Sequence, residues 1–113
     1  MTVMIVDDSK PIRDMLKSML ADEVEQFYEC DDGNEAVATF ASCQPDWVLM
    51  DIKMKEMDGI TATRKIKQSF PAARVIVMTQ HRGSNFREQA FEAGAYEFIG
   101  KERLLELQNI MKS

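Results

Sequence analysis

The stretch Thr2-Val3-Met4-Ile5-Val6-Asp7-Asp8-Ser9-Lys10-Pro11 decides the fold. Thr2 to Val6 is a β-rich run that reads as a strand. The run stops at two carboxylates. Ser9 is a natural helix N-cap, and Pro11 falls in the first turn, where a missing N–H is no loss. Ile12, Met15, Leu16, Met19 and Leu20 then repeat at helical spacing. One strand–helix unit is legible here.

The unit recurs. Val24 to Cys30 reads as a second strand, interrupted by Gln26 and Glu29; Asp32 then caps a helix lined by Val37, Phe40 and Ala41, with Glu35 completing a capping box. Asp46 to Met50 is a third strand ended by Asp51, and Asp58-Gly59 opens a helix with Ile60, Thr63 and Ile66 that stops at Phe70-Pro71. Arg74 to Met78 is a fourth strand, ended by Thr79. Ser84 or Asn85 caps the next helix, which carries Phe86, Ala90 and Phe91 and closes at Gly94. Tyr96 to Ile99 is a fifth strand running through Gly100 into Lys101, and Leu104, Leu105, Leu107 and Met111 mark a last helix. Alternation of this kind, without repeat, low-complexity segment or linker, predicts a single α/β domain, 1–113, with a parallel sheet wrapped by helices.

Composition narrows the function. The 113 residues are 45% hydrophobic and 29% charged, enough for one core that folds without a metal or disulfide staple. Fourteen Lys+Arg against 19 Asp+Glu give a net charge of −5, so phosphate counterion release offers nothing and direct nucleic-acid binding is not expected. The longest apolar runs, such as Trp47-Val48-Leu49-Met50, are four residues, where a membrane span needs about 20. The amino end has no basic flank, and Asp7-Asp8 would interrupt the apolar region of a secretory signal. Cys30 and Cys43 have neither CxxC spacing nor neighbouring histidines, and read as small buried or half-buried residues in a reducing cytosol. A cytoplasmic location is expected. The nine methionines mostly fall on core positions and need no cofactor.

The informative feature is what ends each strand: Asp7-Asp8, Asp51, Thr79 and, after Gly100, Lys101. Open α/β sheets bind ligands outside the carboxyl ends of their strands, at a topological switch point. If the first and third strands are neighbours, three carboxylates converge there. Like charges that close raise one another's pKa, and a divalent cation relieves the repulsion. Hard oxygen ligands suit Mg²⁺, which keeps water and a place for a phosphoryl oxygen. A carboxylate nucleophile, a metal, an ammonium and a hydroxyl make up the parts for phosphoryl transfer to an aspartate. Each residue alone has a plainer role: Asp7-Asp8 at a helix dipole, Asp51 opening a loop, Thr79 capping a turn, Lys101 solvated on the surface. Together, at the ends of separate strands, they form a far more specific pattern.

The segments Val6-Asp7-Asp8-Ser9, Val48 to Gly59, Met78-Thr79, Ala93-Gly94-Ala95 and Phe98-Ile99-Gly100-Lys101 resemble those of bacterial two-component response-regulator receiver domains, and the resemblance covers essentially the whole chain. It implies a doubly wound (βα)5, flavodoxin-like receiver fold with a five-stranded parallel sheet in the order 2-1-3-4-5. It also implies that Asp51 is the phospho-accepting nucleophile. Asp8, Asp51 and the backbone carbonyl of Lys53 would ligate Mg²⁺, and Asp7 would act on the ion through water. Thr79 and Lys101 would contact the phosphoryl group, and Phe98 would be the switch aromatic. The expected partners are a histidine kinase or phosphorelay donor and an output domain, partner protein or second copy of the chain. By the same resemblance they are engaged through the face of the fourth helix, fifth strand and last helix, around Phe86, Tyr96, Leu104 and Leu107.

The chain departs from the family pattern at Lys55 and at Glu102, where proline is common, and at Gln80, where a small residue is usual. Glu102 resembles receivers attached to LuxR-type DNA-binding domains. Lys53, Gln80 and His81 are expected to slow hydrolysis of an acyl phosphate by their bulk, with His81 on an exposed loop. Trp47, four residues before Asp51, is a candidate fluorescence reporter. An aspartyl-phosphate phosphatase would want a second aspartate at position 53, which is Lys53 here, and a flavin carrier would want a Ser/Thr/Gly-rich loop after the first strand. Both a stand-alone receiver and a piece of a longer regulator fit the sequence.

Overall fold

In the computed structural model, residues 1–80 and 85–112 are described; the expectations for His81 and for Ser84 as a cap lie outside them. The strands are β1 (Thr2–Val6), β2 (Gln26–Cys30), β3 (Trp47–Asp51), β4 (Val75–Thr79) and β5 (Glu97–Gly100). The helices are α1 (Lys10–Leu20), α2 (Gly33–Cys43), α3 (Gly59–Ser69), α4 (Phe86–Glu92) and α5 (Leu107–Met111), the last preceded by a 3-10 stretch, Lys101–Glu106. All strand pairs are parallel and the order is β2-β1-β3-β4-β5. The expected sheet order is therefore present. Among the described residues no helix is long and apolar enough to cross a membrane.

Alternation along the strands builds two cores. Met4, Val6, Val48, Met50, Val75 and Val77 face α2, α3 and α4 through Ala36, Phe40, Ile60, Ile66 and Ala90. Val3, Ile5, Leu49, Ile76 and Met78 face α1 and α5 through Leu16, Leu20, Leu107 and Met111. β3 and β4 are buried at every position, as central strands covered on both faces must be. Edge strands β2 and β5 keep polar, partly exposed residues.

Local chemistry sets the helix starts. The side chains of Ser9, Asp32 and Asp58 accept hydrogen bonds from the N–H groups of Ile12, Glu35 and Thr61. Asn85 makes no such bond at the start of α4. Helix α2 ends at Gln44, whose φ of 43° takes the left-handed conformation while its N–H donates to the Phe40 carbonyl.

Three expectations need correction. β3, β4 and β5 each end one residue later than the apolar runs suggest, because the ladders continue through Asp51–Met78 and Thr79–Gly100. Asp51 and Thr79 are thus held by strand backbone instead of opening loops. Cys43 is exposed, since α2 turns it outward, whereas Cys30 is buried. On α2 the inward place belongs to Ala36, and Ala41 is exposed.

Candidate functional site

At the carboxyl end of the sheet, β1 and β3 are adjacent, so Asp7, Asp8 and Asp51 converge: carboxylate oxygens from all three lie within 4.8 Å of one another. Asp7 is fully buried, Asp51 is 6% exposed and Asp8 faces solvent. Lys101, delivered from the end of β5, places Nζ 2.7 Å from Asp7 Oδ2 and 3.1 Å from Asp51 Oδ1. The Ser9 N–H donates to Asp7 Oδ1 at 2.9 Å, so both oxygens of Asp7 are engaged. A cleft of about 390 Å³ opens over this cluster, lined among others by Asp8, Asp51, Lys53, Gln80 and Lys101.

The charges explain the titration. Burial, reinforced by the neighbouring Asp7 charge, pushes the Asp51 carboxyl up to about 6, even though Lys101 pulls it down. For Lys101 burial acts to lower the pKa, but its hydrogen bond to Asp7 and the charge of Asp51 outweigh it and the ammonium is held above its ordinary value. One ammonium therefore serves two buried carboxylates and leaves a deficit of positive charge beside Asp8. The donor set is hard oxygen only, the cluster is open on the Asp8 side, and such a set fits a divalent cation.

Thr79 is buried at the end of β4, beside Gly100 and so next to the residue that delivers Lys101. It is Gln80, exposed, that lines the cleft. Phe98 is half-buried and packs on the α4 side of the sheet. Its register partner is Val77, two residues before Thr79 and on the same face, which places the two positions about 8 Å apart by strand geometry. Lys53 projects past the site, with Nζ 5.6 Å from the centre of the Phe86 ring.

Two supporting residues escape a sequence reading. Arg13 on α1 donates to the backbone carbonyl of Asp7 at 2.6 Å and pairs with Glu29 at 3.0 Å, tying α1, β1 and β2 together beneath the acidic cluster. Gly59 brings the start of α3 against β3: a Cβ there would lie 1.9 Å from the Asp51 carbonyl oxygen. Asp58-Gly59 signals a helix start, but nothing local signals that close approach.

Two expectations fail at this stage. Leu104 and Leu107 are core residues, 5% and 0% exposed, three positions apart on the face that packs against Leu16 and Leu20; Leu105, at 79%, is the leucine that faces solvent. Trp47 stands at the opposite end of β3 from Asp51, about 13 Å along the strand, with Tyr96 edge-on at 4.9 Å and the Arg74 guanidinium at 4.1 Å. It is a poor reporter of the site.

Comparison with known proteins agrees with this geometry. The family model for the response regulator receiver domain matches residues 3–112. The chain is 39% identical over 112 residues to the chemotaxis protein CheY of Bacillus subtilis, covering 95% of this chain and 93% of that one. It is 37% identical over 99 residues to the DNA-binding transcriptional regulator NtrC of Salmonella typhimurium, covering 88% of this chain but only 21% of that relative's length. Among solved structures, the CheX–CheY–BeF3–Mg²⁺ complex from Borrelia burgdorferi aligns with a TM-score of 0.86 at 30% identity, over 98% of this chain and 87% of that one.

Proposed function

Because this chain belongs to the response regulator receiver domain family, whose members are phospho-accepting modules of two-component signalling, we propose that Asp51 is its phospho-acceptor and that Mg²⁺ is held beside it. The observation that carries the reading is the buried Asp7–Lys101–Asp51 triad at the mouth of the cleft. An oxygen of Asp51 attacks phosphorus as the bond from phosphorus to the donor, P–N of a phosphohistidine or P–O of an acyl phosphate, breaks and its electron pair leaves with the donor. Asp8, Asp51 and the Lys53 carbonyl are the direct ligands assigned to Mg²⁺. Asp7, both of whose oxygens are already engaged, acts on the ion through water. When bound, Mg²⁺ supplies charge neutralisation for the carboxylates and the incoming phosphoryl oxygens.

Lys101 already lies within reach of Asp51 and is assigned to a phosphoryl oxygen, and the Thr79 hydroxyl to another. Movement of Thr79 toward the phosphoryl group vacates space on the face it shares with Phe98, into which that ring turns. The response is then read at α4, β5 and α5 by an output domain, partner or second copy. The phospho-donor is a histidine kinase or phosphorelay protein, in a cytoplasmic setting. The chain works as a signalling module that promotes its own phosphorylation and dephosphorylation and is not itself a metabolic enzyme. As the domain reading, residues 1–113 constitute one receiver.

The experiment is intact-mass measurement after incubation with acetyl phosphate and Mg²⁺. One phosphoryl adduct, labile to base, is expected on the wild type and none on Asp51→Asn. Equal labelling of the variant refutes the assignment.

A further inference from the structure

Lys53 stands between two clefts. It lines the one over Asp51, and it also lines a second, about 300 Å³, between α3 and α4, where Ile52, Ile60, Arg64, Phe86 and Gln89 are its neighbours. Its ammonium lies 5.6 Å from the Phe86 ring centre, within the range in which a cation is attracted to an aromatic face. Phe86 is the first residue of α4, a helix start where Asn85 makes no side-chain capping bond. It is half-buried against the core that also holds Ile52 and Ala90. The ring is therefore anchored, while the lysine is exposed on a long flexible stem.

We propose that Phe86 is a positioning residue for the phosphoryl site: its ring holds the Lys53 ammonium toward the α3–α4 cleft and so limits how far it can cover a phosphoryl group on Asp51. This inference rests on Asp51 being the acceptor. Two stations compete for the ammonium: the α3–α4 cleft, where the ring face and the Asp58 carboxylate both lie, and the dianionic phosphoryl oxygens. Removing the ring favours the second. Lys53 then lies over the acyl phosphate and excludes the attacking water more completely, so hydrolysis slows. An exposed cation–π contact is worth about 0.5–1 kcal/mol, which corresponds to roughly a two- to five-fold change in the partition. The same competition ties the start of α4 to the phosphorylation state, since the ring loses its cation whenever the phosphoryl group gains it.

Two measurements test this. In the unphosphorylated protein, NMR of the Lys53 ε-methylene should show an upfield ring-current shift that disappears in Phe86→Leu and is kept in Phe86→Tyr. If Phe86→Leu leaves the Lys53 resonances in place, the proposal is overturned, whatever Asp51 does. In the phosphorylated protein, decay of the acyl phosphate should slow roughly two- to five-fold in Phe86→Leu, recover in Phe86→Tyr, and be insensitive to Phe86→Leu in a Lys53→Met background. An equal Phe86→Leu effect with and without Lys53 reduces Phe86 to a packing residue and overturns the proposal. Wild type that takes up no phosphoryl group at all instead overturns the acceptor reading on which the kinetic arm depends.

Discussion

Asp51 carries a measurable conflict between burial and charge. Its folded pKa, about 6, lies above the ordinary 3.8, so the folded state binds its proton more tightly than the unfolded chain does. The associated stability is fully present below about pH 3.8 and is lost as pH rises through about 6. In Mg²⁺-free buffer, urea unfolding should show wild type losing on the order of 1–3 kcal/mol relative to Asp51→Asn between pH 4 and 7. A pH-independent difference would mean that burial does not dominate this carboxyl. Lys101 has the opposite role. Lys101→Met leaves two buried carboxylates without their shared ammonium, and should cost about 3 kcal/mol at neutral pH, with much of the loss recovered on adding Asp51→Asn. Additive effects of the two changes would contradict the coupling.

At the scale of elements, the start of α3 presses on β3. Gly59 leaves no room for a Cβ beside the Asp51 carbonyl oxygen, and its N–H donates to the Ile52 carbonyl at 2.9 Å. Gly59→Ala should therefore displace the Asp51 loop, lowering both stability and the rate of labelling by acetyl phosphate. Asp58→Ala, which removes the cap bond from the Thr61 N–H and the bond from the Thr61 hydroxyl, should cost about 1–2 kcal/mol and leave labelling near wild type. Comparing the two separates helix stability from strand placement. The inward turn of Leu107 and the outward turn of Leu105 make a second pair. Leu107→Ala should destabilise by about 2–5 kcal/mol and Leu105→Ala by less than about 0.5 kcal/mol. If Leu105 belongs to the docking face, its replacement lowers partner or self-association at unchanged stability.

Across the whole molecule, the proposed route from Asp51 toward α4 and β5 runs through the end of β4. Thr79 ends β4 and Phe98 lies on the neighbouring strand and the same face; the exposed Tyr96, packed on Trp47, lies toward the other end of that strand. A phosphoryl mimic with Mg²⁺ should alter amide exchange in α4, β5 and the 3-10 stretch as well as in the Asp51 loops, and Thr79→Ala should confine the change to those loops. An equal response without the Thr79 hydroxyl would exclude this route.

The order of elements, the helix caps and the identities of Asp7, Asp8, Asp51, Thr79 and Lys101 are written locally, in apolar runs and in the polar residues that end them. Periodicity and capping act within a few residues, so the chain shows them without being folded. Which strands become neighbours, and hence that Lys101 bridges Asp7 and Asp51, depends on contacts between residues 94 and 50 positions apart. The same holds for Gly59 against Asp51, Arg13 under Asp7, and Lys53 on the Phe86 ring. Near the carboxyl end, sequence periodicity marks Leu104, Leu105 and Leu107 as apolar alike. Leu104 and Leu107, three apart, share one helix face and Leu105 lies off it; that this face and not that of Leu105 is covered is decided by the packing of the last helix on Leu16, Leu20 and Ile76.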